Sequence, residues 1–133
     1  FGAWKAPAGT SVSHRKQPAP PQRTRREIYL VDKPNAPQSQ LRIGLVGVAR
    51  STPDFFPLEV TNTILGGSFM SRLNLNLRED KGYSYGVFSR ASWFASAGTI
   101  VAAGGVQTDK TAESVVEFAS DRDDVALLVL AVA

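Results

Sequence analysis

Residues 66–86 constrain the fold of this chain more than any other stretch. They begin with the pair Gly66-Gly67, which can end one helix and allow another to start. Gly82 lets the chain reverse, and the run Tyr-Ser-Tyr-Gly-Val-Phe that follows it predicts a strand, because most of its residues are aromatic or β-branched. Between the glycines, four apolar residues recur at helical spacing and predict one apolar stripe: Phe69, Met70, Leu73 and Leu77.

Two polar side chains of this stretch are predicted to approach each other. Arg78 lies outside the apolar stripe, near the end of the predicted helix, and Tyr85 follows seven residues later in the predicted strand. Because Gly82 reverses the chain between them, the two side chains come back toward each other. A purely structural interpretation stays open, in which Arg78 is solvated near the helix C-terminus and Tyr85 packs in the sheet.

The stretch has the pattern Gly-Gly-x-Phe-x-Ser-Arg-Leu-Asn-x-Asn-Leu-Arg-Glu-x-Lys-Gly-Tyr-x-Tyr-Gly. Together with residues 31–39, this pattern resembles the second, inactive domain of pitrilysin- and insulysin-type zinc metallopeptidases, the inverzincins. The resemblance extends from about residue 29 to residue 117. It implies an α+β fold, with an antiparallel-rich sheet and helices packed on one face, as in the halves of mitochondrial processing peptidase.

The resemblance also implies a division of labour between two domains. In this family one domain carries an inverted zinc motif, His-x-x-Glu-His, whose glutamate is the general base. The partner domain shares the fold, lacks the motif and supplies an Arg/Tyr pair, spaced seven apart, that contacts the substrate. Arg78 and Tyr85 match this pair. Tyr83 is a secondary candidate for the same role, and the spacing favours Tyr85.

The function implied by the resemblance is that of a non-catalytic, substrate-binding half of a zinc metalloendopeptidase. Its partners would be a zinc-binding peptidase domain or subunit and a peptide substrate. A guanidinium and a phenol suit this role, since their N–H and O–H donors can hold a peptide carbonyl and stabilise the oxyanion formed on it. The alternative is a structural or assembly subunit, similar to respiratory-complex core proteins that resemble this family without being peptidases.

Cysteine and histidine, the most common zinc ligands, are almost absent from this chain. It has no cysteine, and its single histidine is His14, so it can form neither a thiolate metal site nor a His-x-x-Glu-His motif. We therefore expect no residue of this chain to carry out zinc chemistry, and we expect the chain to be inactive alone. Zinc is expected in the partner domain.

The basic character of the chain is confined to its first part. Residues 1–26 hold six basic and no acidic side chains, whereas residues 27–133 hold 9 basic and 12 acidic ones. Clustered arginines can bind phosphate. A solvated linker is the favoured interpretation of this segment, because it is rich in proline and poor in apolar residues. The sequence thus predicts no nucleic-acid partner.

The composition divides the chain into two parts. Residues 1–26 are predicted to be a Pro-rich, basic interdomain linker, and residues 27–133 an inactive peptidase-like domain whose C-terminal part is missing or altered. The run 125–133 is the longest apolar segment, and its nine residues are too few to cross a bilayer. The resemblance is compatible with a bacterial protein located in the periplasm, although no residue pattern identifies the compartment.

Outside the central stretch the sequence predicts a mixture of strands and helices. Strands are predicted over residues 27–31 and 40–49, the second of them central in its sheet. A helix is predicted from the cap Asp54 to Gly66-Gly67, with a shared apolar face formed by Phe56, Val60 and Ile64. The remaining predictions are a hairpin of strands 83–94 and 98–105, with a bulge or strand end at Gly104-Gly105, and a helix over residues 111–119.

Overall fold

The computed structural model describes residues 3, 5, 7–9, 18–20, 24–120 and 128–132. They form an α+β fold with a five-stranded sheet. The strands are β1 (Glu27–Val31), β2 (Gln38–Val46), β3 (Ser84–Ser92), β4 (Thr99–Gln107) and β5 (Leu128–Val132). The helices are α1 (Phe55–Asn62), α2 (Arg72–Asn74) and α3 (Thr111–Ser120). Helix α1 continues into a π-helical turn at Thr63–Gly67, α2 into one at Leu75–Asp80, and a 3-10 turn at Thr108–Lys110 precedes α3.

The strands lie in the order β1-β5-β2-β4-β3. Strands β1 and β5 are parallel, and the three other pairs are antiparallel. The expected antiparallel-rich sheet is therefore confirmed, and β2 occupies the predicted central position. Strand β3, which includes Tyr85, is at the edge of the sheet.

The hydrophobic core lies on one face of the sheet. Leu41 and Ile43 alternate along β2 with exposed residues, as expected for a strand with one covered face. Residues of β3, β4, α3 and the segment that includes α2 complete the core, which consists of Leu41, Ile43, Leu73, Leu77, Val87, Val106 and Phe118. The segment 72–80, which carries Arg78, is thus attached to the sheet by two buried leucines.

The predicted apolar stripe of residues 69–77 is only half correct. Leu73 and Leu77 are buried, but Phe69 is 60% and Met70 69% exposed. The reason is that the helix begins at Arg72 and not at the glycine pair. Ser68 and Ser71 have extended backbones, with ψ of 164° and 156°, so the residues between them belong to a loop.

Helix α1 begins after Asp54, as predicted, but its predicted apolar face is exposed to solvent. On the side next to β3, the Phe55 ring packs edge-on against the ring of Trp93, which follows β3, and two side-chain hydrogen bonds accompany this contact. Ser89 donates a hydrogen bond to Oδ1 of Asn62 at 2.8 Å, and the Trp93 indole donates to Glu59. The turn at the end of α1 lies so close to β3 that a Cβ on Gly66 would overlap the Ser89 backbone.

The hairpin of β3 and β4 is confirmed, with its connection around residues 95–97. The position predicted for the bulge is wrong, because Gly104 and Gly105 lie inside β4 and the bulge is on β3. Gly104 instead permits close packing, since a Cβ there would overlap the side chain of Val87.

The C-terminal helix is confirmed as α3, and β5 follows it between β1 and β2. The apolar run near the C-terminus, for which the sequence predicted no strand, thus supplies strand residues 128–132. Most of the predicted linker, including His14, lies outside the described residues, so the linker stays a prediction. None of the helices in the described part of the chain is long and apolar enough to span a membrane.

Candidate functional site

The helical segment that carries Arg78 ends in a sharply defined turn. Arg78 belongs to the π-helical turn Leu75–Asp80, and Lys81 N–H donates to the Asn76 carbonyl at 2.9 Å to close it. Gly82 then adopts φ of +64°, a left-handed conformation that L-residues rarely adopt. The predicted reversal at Gly82 is therefore confirmed, and it leads directly into β3.

Tyr85 is the extra residue of a β-bulge at the start of β3. Ser84 pairs with Val106 and Gly86 with Gly105, which leaves Tyr85 without a partner in the register. The Ser84 hydroxyl stabilises this arrangement, since it donates to the Gly105 carbonyl at 2.6 Å and accepts from Gly86 N–H at 3.1 Å. A bulge changes the direction of a side chain and often lies next to a functional site. Tyr85 is 85% exposed as a result.

The predicted approach of Arg78 and Tyr85 is present in the structure. The guanidinium carbon of Arg78 lies 5.2 Å from the centre of the Tyr85 ring and 4.4 Å from the centre of the Phe69 ring. Its Nε forms an ion pair with Glu79 at 3.2 Å, and the Arg78 side chain is 28% exposed. The interpretation in which Tyr85 packs inside the sheet is wrong. The role of the pair toward a substrate stays a prediction.

Tyr83 has a different environment from Tyr85. It precedes the first residue of β3 and packs, half-buried, against the core. The cation near its ring is Lys110, whose Nζ lies 5.8 Å from the ring centre. Tyr83 and Tyr85 do not share a strand face, because β3 begins after Tyr83 and the bulge interrupts the alternation of side chains. These contacts suit a structural role for Tyr83 better than a part in the cluster that Arg78 forms with Phe69 and Tyr85.

Asn74 connects the two chain segments that form the cluster. Its amide Nδ2 donates to the Phe69 carbonyl at 2.7 Å, and its Oδ1 accepts from Val87 N–H at 3.2 Å. Asn74 is almost completely buried. Asn74 therefore has structural partners in two other parts of the chain. They are the loop that carries Phe69 and the strand that carries Tyr85.

Glu117 of α3 holds the far side of the helical segment. Its carboxylate accepts a hydrogen bond from Asn76 Nδ2 at 2.9 Å and forms an ion pair with Lys81 at 3.3 Å. The hydrogen bond from Asn76, and then the contact with Lys81, hold the pKa of Glu117 below its ordinary value. Because Asn76 and Lys81 flank Arg78 in sequence, α3 restrains both sides of that residue.

Phe69 is the member of the cluster that sequence reasoning missed. Its spacing from Leu73 and Leu77 assigned it to the core, yet the structure places it beside Arg78. A signal was present in Ser71, because serine is favoured immediately before the first residue of a helix. A helix start after Ser71 would have moved Phe69 into a loop.

The cluster offers hydrogen-bond donors on an exposed surface and no metal site. The terminal nitrogens of Arg78 and the Tyr85 hydroxyl are donors of the kind that bind carbonyl or anionic oxygens. In the ranges 24–120 and 128–132, and at the few described positions before them, no group of three or more His, Cys, Asp or Glu side chains could hold a metal ion. The described residues therefore do not fit a zinc site.

The sequence of this chain is similar to one described protein family and to several known proteins. The family described as the peptidase M16 inactive domain matches residues 1–124. The chain is 37% identical over 76 residues to the uncharacterized zinc protease YmxG of Bacillus subtilis, covering 57% of this chain and 19% of that protein. It is 33% identical over 102 residues to an uncharacterized zinc protease of Streptomyces coelicolor, covering 73% and 21% of the two chains.

A solved structure has the same fold. The crystal structure of a peptidase M16 inactive domain from Pseudomonas fluorescens superposes with a TM-score of 0.73 at 27% identity, covering 86% of this chain and 27% of that one. The chain thus spans about a fifth of the length of the two zinc proteases. The match over residues 1–124 includes almost all of the sequence, so this chain belongs to the peptidase M16 inactive-domain family.

Proposed function

We propose that this domain is the non-catalytic, substrate-binding half of a zinc metalloendopeptidase, and that Arg78 and Tyr85 contact the peptide. The observation that carries the proposal is the 5.2 Å separation of the Arg78 guanidinium and the Tyr85 ring on an exposed surface of the domain. Zinc and the general base would come from another domain or subunit, which fits the much greater length of the related zinc proteases.

The two side chains have complementary properties for holding a peptide carbonyl. Arg78 is half-buried and its Nε is paired with Glu79, which leaves the terminal nitrogens of its planar guanidinium to bind a carbonyl oxygen. Tyr85 is exposed and adds one directional O–H donor. Donors held in place before the reaction stabilise a developing oxyanion without the cost of reorganising solvent. This domain would thus orient the substrate and favour its tetrahedral intermediate.

The test is peptide cleavage by the complete assembly after Arg78→Ala and, separately, Tyr85→Phe. We expect kcat/KM to fall by about 10- to 1,000-fold for Arg78→Ala, because the loss of one oxyanion donor has effects of up to that order. Tyr83→Phe is the matched control for Tyr85→Phe and should leave cleavage nearly unchanged, since Tyr83 packs against the core. Undiminished cleavage by both site variants would contradict the proposal.

The structural-subunit alternative has a separate discriminating observation. If neither an upstream domain nor a co-encoded partner contains His-x-x-Glu-His, the assembly has no zinc site of the expected type. An assembly role would then account for the domain better than substrate binding.

A further inference from the structure

Phe69 has an unusual position for a phenylalanine. It is 60% exposed, so it adds little to the core, yet the loop that carries it is held firmly. The buried Asn74 side chain donates to the Phe69 carbonyl at 2.7 Å, and Ser71 N–H donates to the Ser68 carbonyl at 3.2 Å across the loop. These bonds hold the backbone from which the ring projects at the surface.

The exposed ring is in contact with the guanidinium of Arg78. The distance from the guanidinium carbon to the ring centre is 4.4 Å, shorter than the corresponding 5.2 Å to Tyr85. A cation over an aromatic face is attracted by the ring quadrupole, more strongly where water is partly excluded. Arg78 is 28% exposed and therefore meets this condition.

The contacts of Arg78 restrain the guanidinium without occupying all its donors. Within the described part of the chain they are the two rings and the ion pair of Nε with Glu79 at 3.2 Å. A ring contact consumes no N–H group, and Glu79 takes the one nitrogen nearest the backbone. The side chain is therefore held while its terminal nitrogens remain able to bind a ligand.

We propose that Phe69 is a positioning residue, which holds the Arg78 guanidinium beside Tyr85 and acts on the substrate only through Arg78. This role depends on the proposed function of Arg78. An arginine side chain has many rotamers, and fixing one of them on binding costs conformational entropy. A ring that favours the bound rotamer in the free protein reduces this cost. Phe69 would thus increase the effectiveness of Arg78 as a donor.

The experiment compares variants of the complete assembly by kcat and KM for a peptide substrate. Phe69→Leu keeps an apolar side chain and removes the aromatic face, and we expect kcat/KM to fall by about 2- to 30-fold. Phe69→Tyr keeps the face and should retain activity within about twofold. Phe94→Leu makes the same change at another exposed ring, whose described contacts include no cation, and should have no effect.

The decisive measurement is the activity of the double variant that combines Arg78→Ala with Phe69→Leu. In an Arg78→Ala background, Phe69→Leu should cause no further loss, because Phe69 acts through the guanidinium. A further loss of the same factor in that background would overturn the inference, since Phe69 would then act directly on the substrate or the fold. Full activity of Phe69→Leu beside impaired Arg78→Ala would also overturn it while leaving the proposed function intact. If Arg78→Ala itself were fully active, the proposed function would fail first and this inference with it.

The melting temperatures of all variants separate positioning from folding. Because Phe69 is largely exposed, Phe69→Leu should melt within a few degrees of the parent. A loss of activity restored by Phe69→Tyr at unchanged melting temperature is the result expected of a positioning residue. A large drop in melting temperature for both Phe69 variants would contradict it.

Discussion

The side chain of Asn74 accepts a hydrogen bond from the backbone N–H of Val87 at 3.2 Å, thirteen residues away along the chain. Val87 lies in the edge strand β3, so this bond satisfies a strand N–H from a helix. The same side chain donates to the Phe69 carbonyl. One buried amide thus joins the helix, the loop of Phe69 and the strand of Tyr85.

Replacement of Asn74 by alanine should destabilise the protein and disturb the cluster. The change removes two hydrogen bonds and leaves Val87 N–H and the Phe69 carbonyl without this partner, at an expected cost of about 1–3 kcal/mol in the free energy of unfolding. Chemical denaturation measures this cost. Asn76→Ala is the control: it removes one partly exposed hydrogen bond, to Glu117, and should lower the free energy of unfolding by less. Asn35 is unsuitable as a control because its φ is positive. If Asn74→Ala and Asn76→Ala lowered the free energy of unfolding equally, the buried hydrogen bonds of Asn74 would not be the stronger ones, and the prediction would be wrong.

Leu77 and Met70 should respond very differently to truncation. Leu77 is fully buried in the core, so Leu77→Ala should cost about 2–5 kcal/mol. Met70 is exposed in the loop before α2, so Met70→Ala should change stability by no more than about 0.5 kcal/mol. Both values come from the same denaturation experiment. A large loss of stability in Met70→Ala would mean that Met70 packs in the core, as the four-residue stripe predicted from the sequence requires.

Alanine should be tolerated poorly at Gly66 and well at Gly86. A Cβ on Gly66 would overlap the backbone and side chain of Ser89, so Gly66→Ala must displace α1 or β3 and should cost about 1–3 kcal/mol. A Cβ on Gly86 would meet only Asn74 Oδ1, at an ordinary 3.7 Å. Thermal unfolding of the two variants tests the close approach of the helix end to the strand. The same melting temperature for both would show that the approach is not constrained.

Glu117 should contribute to stability in a pH-dependent way. Its folded-state pKa is lowered, first by the hydrogen bond from Asn76 and then by Lys81, relative to an ordinary value of 4.5. A lowered pKa means that the folded state favours the charged form, so the contribution is present above pH 4.5 and is lost as the pH falls through the folded-state pKa. Glu117→Gln should therefore flatten the acid side of the stability curve.

A second variant separates the two causes of this shift. Lys81→Met removes the ion pair and keeps the hydrogen bond from Asn76, so it should remove only part of the pH dependence. Denaturation at a series of pH values between about 3 and 7 provides the measurement. If stability fell with decreasing pH in Glu117→Gln just as in the parent protein, the Glu117 carboxylate would not be stabilised by its contacts in the folded state.

Local patterns in the sequence were sufficient to predict most of the helices, strands and turns. Alternating Leu41 and Ile43 indicated a strand, and Gly82 indicated the turn that returns the chain toward Arg78. The spacing of Arg78 and Tyr85 indicated that the two could meet, and the Arg78 guanidinium does lie beside the Tyr85 ring. These features depend on residues close in sequence, whose backbone preferences and side-chain periodicity act over a few positions.

The sequence by itself determined the α+β class, the family, and the pairing of Arg78 with Tyr85. The tertiary structure alone decided that Phe69 lies outside the core, that the bulge falls at Tyr85 and not at Gly104-Gly105, and that Asn74 joins helix to strand. The physical reason is that these outcomes depend on contacts between segments. Register between β3 and β4, and the docking of α2 on their face, are set by the packing of distant residues, which no local pattern of hydrophobicity encodes.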